Sequence, residues 1–470
     1  MTAALLIDFG STYTKLRAVD IAKRRMLGAG QGPSTVTTDI AIGMRAALAD
    51  LERRMGGLPR FQYRLASSSA AGGLRMVTVG LVRELTAEAA RRAALGAGAR
   101  LVGTFAYGLT AGDIGEIRAC APDILLLAGG TDGGNSEVVL ANARRIGKSG
   151  LACPIVYAGN RAAADEACEA LAGKTVIVTG NVMPEFNVLA IESARAAIRQ
   201  VFIDRIVHAK GIDRAAAEFD ALLMPTPAAV LEGARLVADG AGGRAGLGTV
   251  LVIDPGGATT DVHSVAAGAP AAGVVPQGLP EPRVKRTVEG DLGMRHNAAA
   301  IVEAAGIGAI AADARLTGQR VRELLRTIVR DVERLPRADD EFALDAALAR
   351  AAVRLAVARH CGTIETLHTV TGAVAVQHGK DLSNVDAVIG TGGAIVSSRD
   401  PRAVLATALA NAAEPLSLKP RRPRLLLDTH YLLYACGLLA SVEPEAALEL
   451  ALANLQGLDE EISHECTRCV

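Results

Sequence analysis

The amino-acid sequence predicts an α/β protein with mostly parallel sheets and helices on the sheet faces. Short apolar runs rich in β-branched residues alternate with longer Ala-, Leu- and Arg-rich runs that have helical spacing. The pattern strand–Asp–x–Gly occurs in each half of the chain, in LLIDFGST and LVIDPGGATTD. Glycines, 50 among 470 residues, cluster directly after apolar runs, where tight turns at strand ends are expected.

The strands and helices can be located from these patterns. Buried strands are predicted at Ala4–Ile7, Ile124–Leu127, Ile155–Tyr157, Val176–Val178, Val250–Ile253 and Ala387–Ile389. Helices are predicted within Gly43–Met55, Thr78–Ala94, Leu189–His208, Ile301–Ala311 and Asp345–Val357.

A Gly-rich polar segment near the middle, Asp239–Gly248, predicts a boundary between two domains, 1–245 and 246–470. An ordinary surface loop is the alternative. Each half also contains a second strand followed by glycines, LLLAGGTDGG at 125–134 and AVIGTGGA at 387–394. This repetition suggests that one structural plan was duplicated.

The composition excludes several classes of protein. Lys plus Arg and Asp plus Glu are both 50, whereas nucleic-acid-binding domains usually carry a basic surplus. Aromatic residues are 3%, too few for base-stacking platforms. The first residues have no basic region, and no apolar run reaches the roughly 18 residues of a membrane span. We therefore expect a soluble, cytoplasmic protein that binds neither nucleic acid nor membrane.

The first motif that carries chemistry begins at Asp8. A buried strand ends with this carboxylate, which is costly there unless it meets solvent or a metal ion. Gly10 allows a tight turn, and Ser11 and Thr12 offer hydroxyl and N–H groups to an anion. The chain resumes as a strand at Lys15–Val19, so this is a hairpin and not a P-loop. A plain Asp-Gly turn is the alternative.

The second motif, Asp254–Asp261, repeats the same arrangement and returns as a strand at Val262–Val265. One carboxylate from each motif would suit Mg²⁺, which prefers one or two carboxylates together with phosphate oxygens and water. The third motif, Val388–Ala394, places glycines after a strand, where a ring or ribose could approach closely. By itself, such a turn is a weak signal.

In this order, the three motifs resemble those of the actin, sugar-kinase and DnaK-type chaperone superfamily. DFGSTYTK resembles its first phosphate motif, DPGGATTD its second and VIGTGGAIV its adenosine motif. The resemblance implies two ribonuclease-H-like domains with Mg-ATP in the interdomain cleft. It implies that Asp8 and Asp254 are catalytic and hold Mg²⁺. The implied nucleotide contacts are Gly10, Ser11, Thr12 and Tyr13 on one side of the phosphates, Gly256, Gly257 and Thr259 on the other, and Gly390, Gly392 and Gly393 at the adenosine.

Pro255 departs from the superfamily pattern, because an aliphatic residue usually follows the second Asp. Proline has no backbone N–H, so the local hydrogen bonding is in question.

Further segments resemble the MutL/GlmL family of mutase accessory proteins, among them PDILLLAGGTDGGN, TGNVMPEFNVLAIESAR, MPTPAAVLEGA, KRTVEGDLGMR and LLLDTHYLLYACGLL. The resemblance implies an ATP-dependent chaperone that reactivates an adenosylcobalamin-dependent mutase, either glutamate (methylaspartate) mutase or an aminomutase, and binds its subunits. A small-molecule kinase of the same superfamily is one alternative. A nucleotide-binding module without turnover, or a filament former, is another.

Three weaker signals remain open. Asp132 and Asn135 either line the cleft or belong to a solvated turn. Asp291 and Arg295 either contact the nucleotide or form a capped helix start with a surface Arg. The pair Cys466 and Cys469 either binds a metal or lies in a reduced tail, which we favour because no second pair supports a metal site.

Overall fold

The computed structural model describes residues 2–10, 13–35, 39–68, 74–209, 219–370 and 372–458, without the side chains of 205–209, 222 and 223. The chain forms two compact units. The first unit comprises Met1–Gly233, Pro276–Arg286 and Tyr434–Ala447, and the second comprises Ala234–Val275, Thr287–Leu433 and Leu448–Val470. That 1–245 and 246–470 are two ATPase domains stays a prediction.

The described strands, in chain order, are β1 (Ala3–Phe9), β2 (Tyr13–Asp20), β3 (Arg25–Pro33), β4 (Phe61–Ser68), β5 (Arg75–Gly80), β6 (Arg100–Ala106), β7 (Ile124–Leu127), β8 (Ile155–Tyr157), β9 (Val176–Val178), β10 (Ala221–Pro225), β11 (Gly240–Ala241), β12 (Arg244–Ala245), β13 (Val250–Pro255), β14 (Thr260–Val265), β15 (Val274–Gln277), β16 (Val284–Glu289), β17 (Thr363–Thr369), β18 (Gly372–His378), β19 (Ala387–Gly390), β20 (Arg424–Asp428) and β21 (Leu455–Gly457).

The described α-helices are α1 (Ile40–Met55), α2 (Glu88–Gly96), α3 (Ala111–Ala119), α4 (Glu137–Gly147), α5 (Ala164–Ala170), α6 (Glu192–Ala209), α7 (Thr226–Asp239), α8 (Ala298–Ala305), α9 (Ile307–Ala314), α10 (Gly318–Arg330), α11 (Asp339–His360), α12 (Gly393–Val396), α13 (Pro401–Ala406), α14 (Leu433–Leu439) and α15 (Pro444–Asn454).

The two units contain sheets of the same design, which confirms the predicted α/β class with two ribonuclease-H-like folds. The first unit orders its strands β3-β2-β1-β4-β10, and the second orders them β16-β14-β13-β19-β20 with β21 added at the edge. In each unit the central strand pairs antiparallel with the next strand in sequence. It pairs parallel with a strand on its other side, β4 or β19. The carboxyl ends of the central and crossover strands therefore lie at one edge.

The first unit holds a second sheet between β4 and β10 in sequence. Its order is β6-β5-β7-β8-β9 with every pair parallel, which is a doubly wound arrangement. This sheet corrects the internal repeat proposed from sequence. LLLAGGTDGG leaves β7 of this sheet, whereas AVIGTGGA leaves β19, whose counterpart in the first unit is β4. Both segments are a buried strand followed by glycines, so local sequence could not separate them.

Two predicted helices are divided in the structure. Thr78 lies in β5, and the helical part of Thr78–Ala94 starts only with a π-helical turn at Arg83–Ala87 followed by α2. Ile301–Ala311 is split into α8 and α9 at Gly306, whose φ of 84° interrupts the helix. The six predicted strands are confirmed as parts of β1, β7, β8, β9, β13 and β19.

Buried side chains on the central strands anchor each sheet. Leu5, Ile7 and Phe9 of β1 belong to the core of the first unit, and Leu251 and Ile253 of β13 belong to that of the second. Full burial of such a side chain contributes roughly 1.5–3 kcal/mol. The alternate packing of these strands fixes their register, and with it the position of the carboxylate that ends each strand.

Candidate functional site

Asp8 lies at the carboxyl end of β1 and is only 2% exposed. Thr226, at the start of α7, donates a hydrogen bond from Oγ1 to Asp8 Oδ1 at 2.6 Å. Burial raises the pKa of the Asp8 carboxyl above its ordinary value, against the opposing effects of Lys15, the Thr226 hydrogen bond and Arg17. A cation beside Asp8 would remove this cost of burying a charge, so the residue suits a metal ligand.

The turn after Asp8 depends on a residue without a side chain. Gly10 N donates to Tyr13 O at 3.0 Å, and a Cβ on Gly10 would lie 2.5 Å from the same oxygen. Tyr13 begins β2, which confirms the predicted hairpin. Ser11 and Thr12 lie outside the described residues, so their proposed phosphate contacts stay predictions.

Asp254 lies at the equivalent position of β13, paired across the ladder with Asp261, and is half-buried. Pro255 follows it and lies two residues past the last β13–β19 pair, Ile253 with Gly390. Its missing N–H therefore interrupts no hydrogen bond of that pair.

The turn after Asp254 contains backbone N–H groups that its own hydrogen bonds leave unused. Gly256 N donates to Thr259 O at 2.8 Å and closes the turn. Within the described residues, the N–H groups of Gly257, Ala258 and Thr259 donate no hydrogen bond. Successive free N–H groups in a turn make an anion-binding concavity, which fits the phosphate role predicted for this motif. A Cβ on Gly257 would lie 3.8 Å from Arg295, an ordinary contact, so packing does not require glycine there.

The segment Glu289–Asn297 donates hydrogen bonds to the carbonyl groups of this turn. Met294 N donates to Gly256 O, and Arg295 N and His296 N both donate to Gly257 O at 2.9 Å. Asn297 Nδ2 donates to Ala258 O at 2.9 Å. These bonds occupy the carbonyl groups of the turn, so its N–H groups are the ones that can face a ligand.

The two charged residues predicted in this segment are both engaged in ion pairs. Asp291 accepts from both Arg359 guanidinium nitrogens, which lowers the pKa of its carboxyl. Arg295 pairs with Asp345, and its side chain is 15% exposed, so it is not a surface Arg. Arg295 and Asp345 also line a small open pocket whose walls include Leu324, Ile328 and Leu344.

The glycines of the third motif differ in why the structure requires them. A Cβ on Gly390 would lie 2.8 Å from Leu405, so this glycine permits helix packing. Gly392 has φ of 83°, and a Cβ there would lie 2.2 Å from Asp254 Oδ1. A Cβ on Gly393 would meet nothing within 4 Å. The second and third motifs thus meet at Asp254 and Gly392, while the proposed adenosine contacts stay predictions.

Sequence reasoning missed the polar residues that surround these motifs. Ser67, opposite Asp8 in the β1–β4 register, lies 3.2 Å from Thr226 Oγ1. At the matching place in the second unit, Thr391 donates to Asp428 at 2.8 Å. The only sequence signal for them was their presence at or just beyond strand ends, which many polar residues share.

Asp132 and Asn135 belong to the edge of the doubly wound sheet in the first unit. Asp132 Oδ1 accepts from Asn181 Nδ2 and from Arg161 N. Asn160 Oδ1 accepts from Gly133 N, which fastens the same glycine loop. These hydrogen bonds hold the glycine loop in place, so its polar residues have a structural role that involves no ligand.

No group of three or more His, Cys, Asp or Glu residues with metal-site geometry occurs in the described part of the chain. An ion with few protein ligands, such as Mg²⁺ held by carboxylates, phosphate and water, is compatible with that finding. Cys466 and Cys469 lie outside the described residues. None of the helices in the described ranges is long and apolar enough to cross a membrane.

Comparison with known proteins gives a family match along almost the entire chain. The family model described as MutL protein matches residues 4–455. The chain is 45% identical over 454 residues to Protein MutL of Clostridium tetanomorphum, covering 96% of this chain and 98% of that one.

Solved structures show only distant likeness. A nucleotide-free acetone carboxylase aligns with a TM-score of 0.38 and 14% identity over 93% of this chain and 70% of its own. Xylulose kinase from Lactobacillus acidophilus aligns at 0.37 and 10%, over 97% and 93%. Nucleotide-free diol dehydratase-reactivating factor aligns at 0.34 and 12%, over 94% and 100%. These values are too low for any functional argument.

Proposed function

Because the chain belongs to the MutL protein family, we propose that it is an ATP-dependent accessory protein that reactivates an adenosylcobalamin-dependent mutase. The observation that carries the proposal is the 45% identity to Protein MutL across nearly the full length of both chains. The mutase partner, glutamate (methylaspartate) mutase or an aminomutase, comes from the family resemblance and not from geometry.

The local geometry supports nucleotide binding as part of this proposal. Each unit ends its central strand with a carboxylate, Asp8 or Asp254, followed by a glycine turn. The free N–H groups at Gly257–Thr259 suit phosphate oxygens, and the buried Asp8 suits a cation. Asp8 and Asp254 would hold Mg²⁺, which when bound would neutralise phosphate charge.

The reaction that we propose is hydrolysis of ATP to ADP and phosphate. The bond between the terminal phosphorus and the ADP oxygen breaks as a water oxygen bonds to that phosphorus, and the water's proton passes to the released phosphate or to solvent. Asp8 and Asp254 help to orient that water, while the glycine turns hold the phosphates in place. ATP and ADP must bind two states of the protein with different affinities, because a ligand with equal affinity for both shifts neither.

Reactivation of a damaged mutase tests the proposal directly. Mutase that carries cobalamin without its adenosyl group is incubated with this protein, ATP, Mg²⁺ and fresh adenosylcobalamin, and mutase turnover is then measured. We expect turnover to recover, and we expect no recovery without ATP or with the Asp8→Ala variant. Equal recovery without ATP, or no binding to such a mutase in either nucleotide state, contradicts the proposal. A phosphorylated small-molecule product would instead identify a kinase.

A further inference from the structure

Asp428 ends β20 and is 1% exposed. Its carboxylate accepts four hydrogen bonds. Oδ2 accepts from Thr391 Oγ1 at 2.8 Å and from Leu433 N at 3.0 Å. Oδ1 accepts from Leu432 N at 2.7 Å and from Asn454 Nδ2. An ionised carboxylate can accept all four of these hydrogen bonds on its two oxygens. An asparagine amide in the same place would direct its own N–H groups at two of the donors.

Thr391 connects this carboxylate to the third motif. It lies between Gly390 and Gly392 and is completely buried. Its N–H donates to Ile253 O at 3.0 Å, and its hydroxyl donates to Asp428. The residue is therefore fixed from both sides, by the backbone of β13 and by the side chain that ends β20.

The fixed position of Thr391 restrains the residue that follows it, Gly392. Gly392 adopts φ of 83°, and a Cβ there would lie 2.2 Å from Asp254 Oδ1. A glycine loop has little conformational restraint of its own. After the loop, the first turn of α12 holds the Gly392 carbonyl through Ile395 N and Val396 N. Before the loop, the restraint comes from Thr391, whose side chain is held by Asp428.

We propose that Asp428 is a positioning residue for the nucleotide, which fixes the loop Gly390–Gly393 through Thr391 so that the adenosine is bound without further ordering. This inference rests on the proposed function, because it takes the loop to be the adenosine side of the site. Asp428 itself does not touch the nucleotide. Ordering the loop in advance lowers the cost of binding, so its loss weakens affinity.

The test uses two variants of Thr391 in the full chain. Thr391→Val keeps the shape and removes the hydroxyl, while Thr391→Ser keeps the hydroxyl. Calorimetry measures binding of ATP, ADP and tripolyphosphate, which carries the phosphates without the adenosine. We expect Thr391→Val to weaken ATP and ADP about tenfold and to leave tripolyphosphate within about twofold, as removal of one hydrogen bond to a charged group predicts. Thr391→Ser should bind all three ligands like the wild type.

Two further variants change the Asp428 carboxylate itself and one of its other hydrogen-bond donors. Asp428→Asn should weaken ATP and ADP at least as much as Thr391→Val and raise the KM for ATP with little change in kcat. Asn454→Ala removes a donor to Oδ1, the oxygen that Thr391 does not use, and should leave nucleotide affinity within about twofold.

Three outcomes overturn the inference. The first is unchanged ATP affinity in Thr391→Val, and the second is equal weakening of all three ligands, which indicates general damage to the fold. The third is equal hydrogen exchange of the Gly392–Val396 amides in Thr391→Val and Thr391→Ser without nucleotide, because the inference requires faster exchange in Thr391→Val. If the wild type binds no nucleotide, the proposed function is refuted, and this exchange measurement still decides whether Thr391 orders the loop.

Discussion

Asp8 and Asp254 end the central strands of two sheets with the same strand order, yet their surroundings differ. Asp8 is almost fully buried and receives a hydrogen bond from the Thr226 hydroxyl. Asp254 is half-buried and has the backbone of Gly392 directly against it. The cost of burying the first carboxylate is one that a bound cation would offset. The second carboxylate instead lies beside a loop residue, Gly392, that has no room for a Cβ. Two sheets of the same strand order thus carry the same acid in different surroundings.

The largest effects are expected from removing either charge. Asp8→Asn and Asp254→Asn should each lower ATP turnover at least about 100-fold, because each removes a proposed metal ligand. The comparison predicts that their stabilities differ. Asp8→Asn should raise the melting temperature of the nucleotide-free protein, since it removes a buried charge, whereas Asp254→Asn should leave it nearly unchanged.

Phosphate release measures ATP turnover, and thermal melting measures the melting temperature. Asp165→Asn, an exposed position on α5, is a control that should change neither. Full turnover in Asp8→Asn contradicts the metal assignment. Equal changes in melting temperature for the two variants contradict the difference in burial.

Glycine replacements in the second unit distinguish residues that the fold requires from residues that ligand binding requires. Gly392→Ala should destabilise the protein by about 1–3 kcal/mol from its left-handed conformation alone, with further loss from the contact at Asp254. Gly257→Ala and Gly393→Ala meet no close contact and should unfold like the wild type. Both should nevertheless weaken nucleotide binding, because the proposed ligand occupies the space beside them.

Urea unfolding and nucleotide titration separate these effects. If Gly257→Ala loses stability and affinity together, its glycine serves the fold and the phosphate assignment of that turn fails.

The smallest expected effect is a pH dependence that belongs to Asp8. Its pKa is raised in the folded state from an ordinary value of 3.8. At low pH the carboxyl is neutral in both the folded and the unfolded state. Because the folded state favours the neutral form, Asp8 then makes its full contribution to the free energy of unfolding. That contribution is lost as pH rises through the raised pKa.

Without nucleotide and Mg²⁺, the free energy of unfolding of the wild type should therefore fall relative to Asp8→Asn between acid and neutral pH. Denaturant titrations of both proteins at several pH values measure the difference. A difference independent of pH would mean that Asp8 titrates normally.

The strand-end carboxylates were predictable because an apolar run that stops at Asp and Gly signals both a strand and a turn. The neighbour of β1 was not. The parallel neighbour of β1 is β4, whose sequence FQYRLASS has polar residues on both faces and does not resemble a buried strand. The segment LLLAGGTDGG resembles one more closely, but it belongs to another sheet. The contacts of Thr226 with Asp8 and of Asp428 with Thr391 span 218 and 37 positions and arise only from sheet order. Asp291 and Arg295 were identified as notable, but their ion pairs with Arg359 and Asp345 required the placement of α11.

The division of the chain into units has a consequence for biosynthesis. The first unit includes Tyr434–Ala447, so its packing is incomplete when the ribosome has delivered only Met1–Gly233. About 200 residues separate Gly233 from Tyr434, which at roughly 5–20 residues per second is a delay of about 10–40 s. During that interval the nascent first unit lacks Tyr434–Ala447, and at first it also lacks Pro276–Arg286. Its folding must therefore finish after Thr287–Leu433, most of the second unit, has been synthesised.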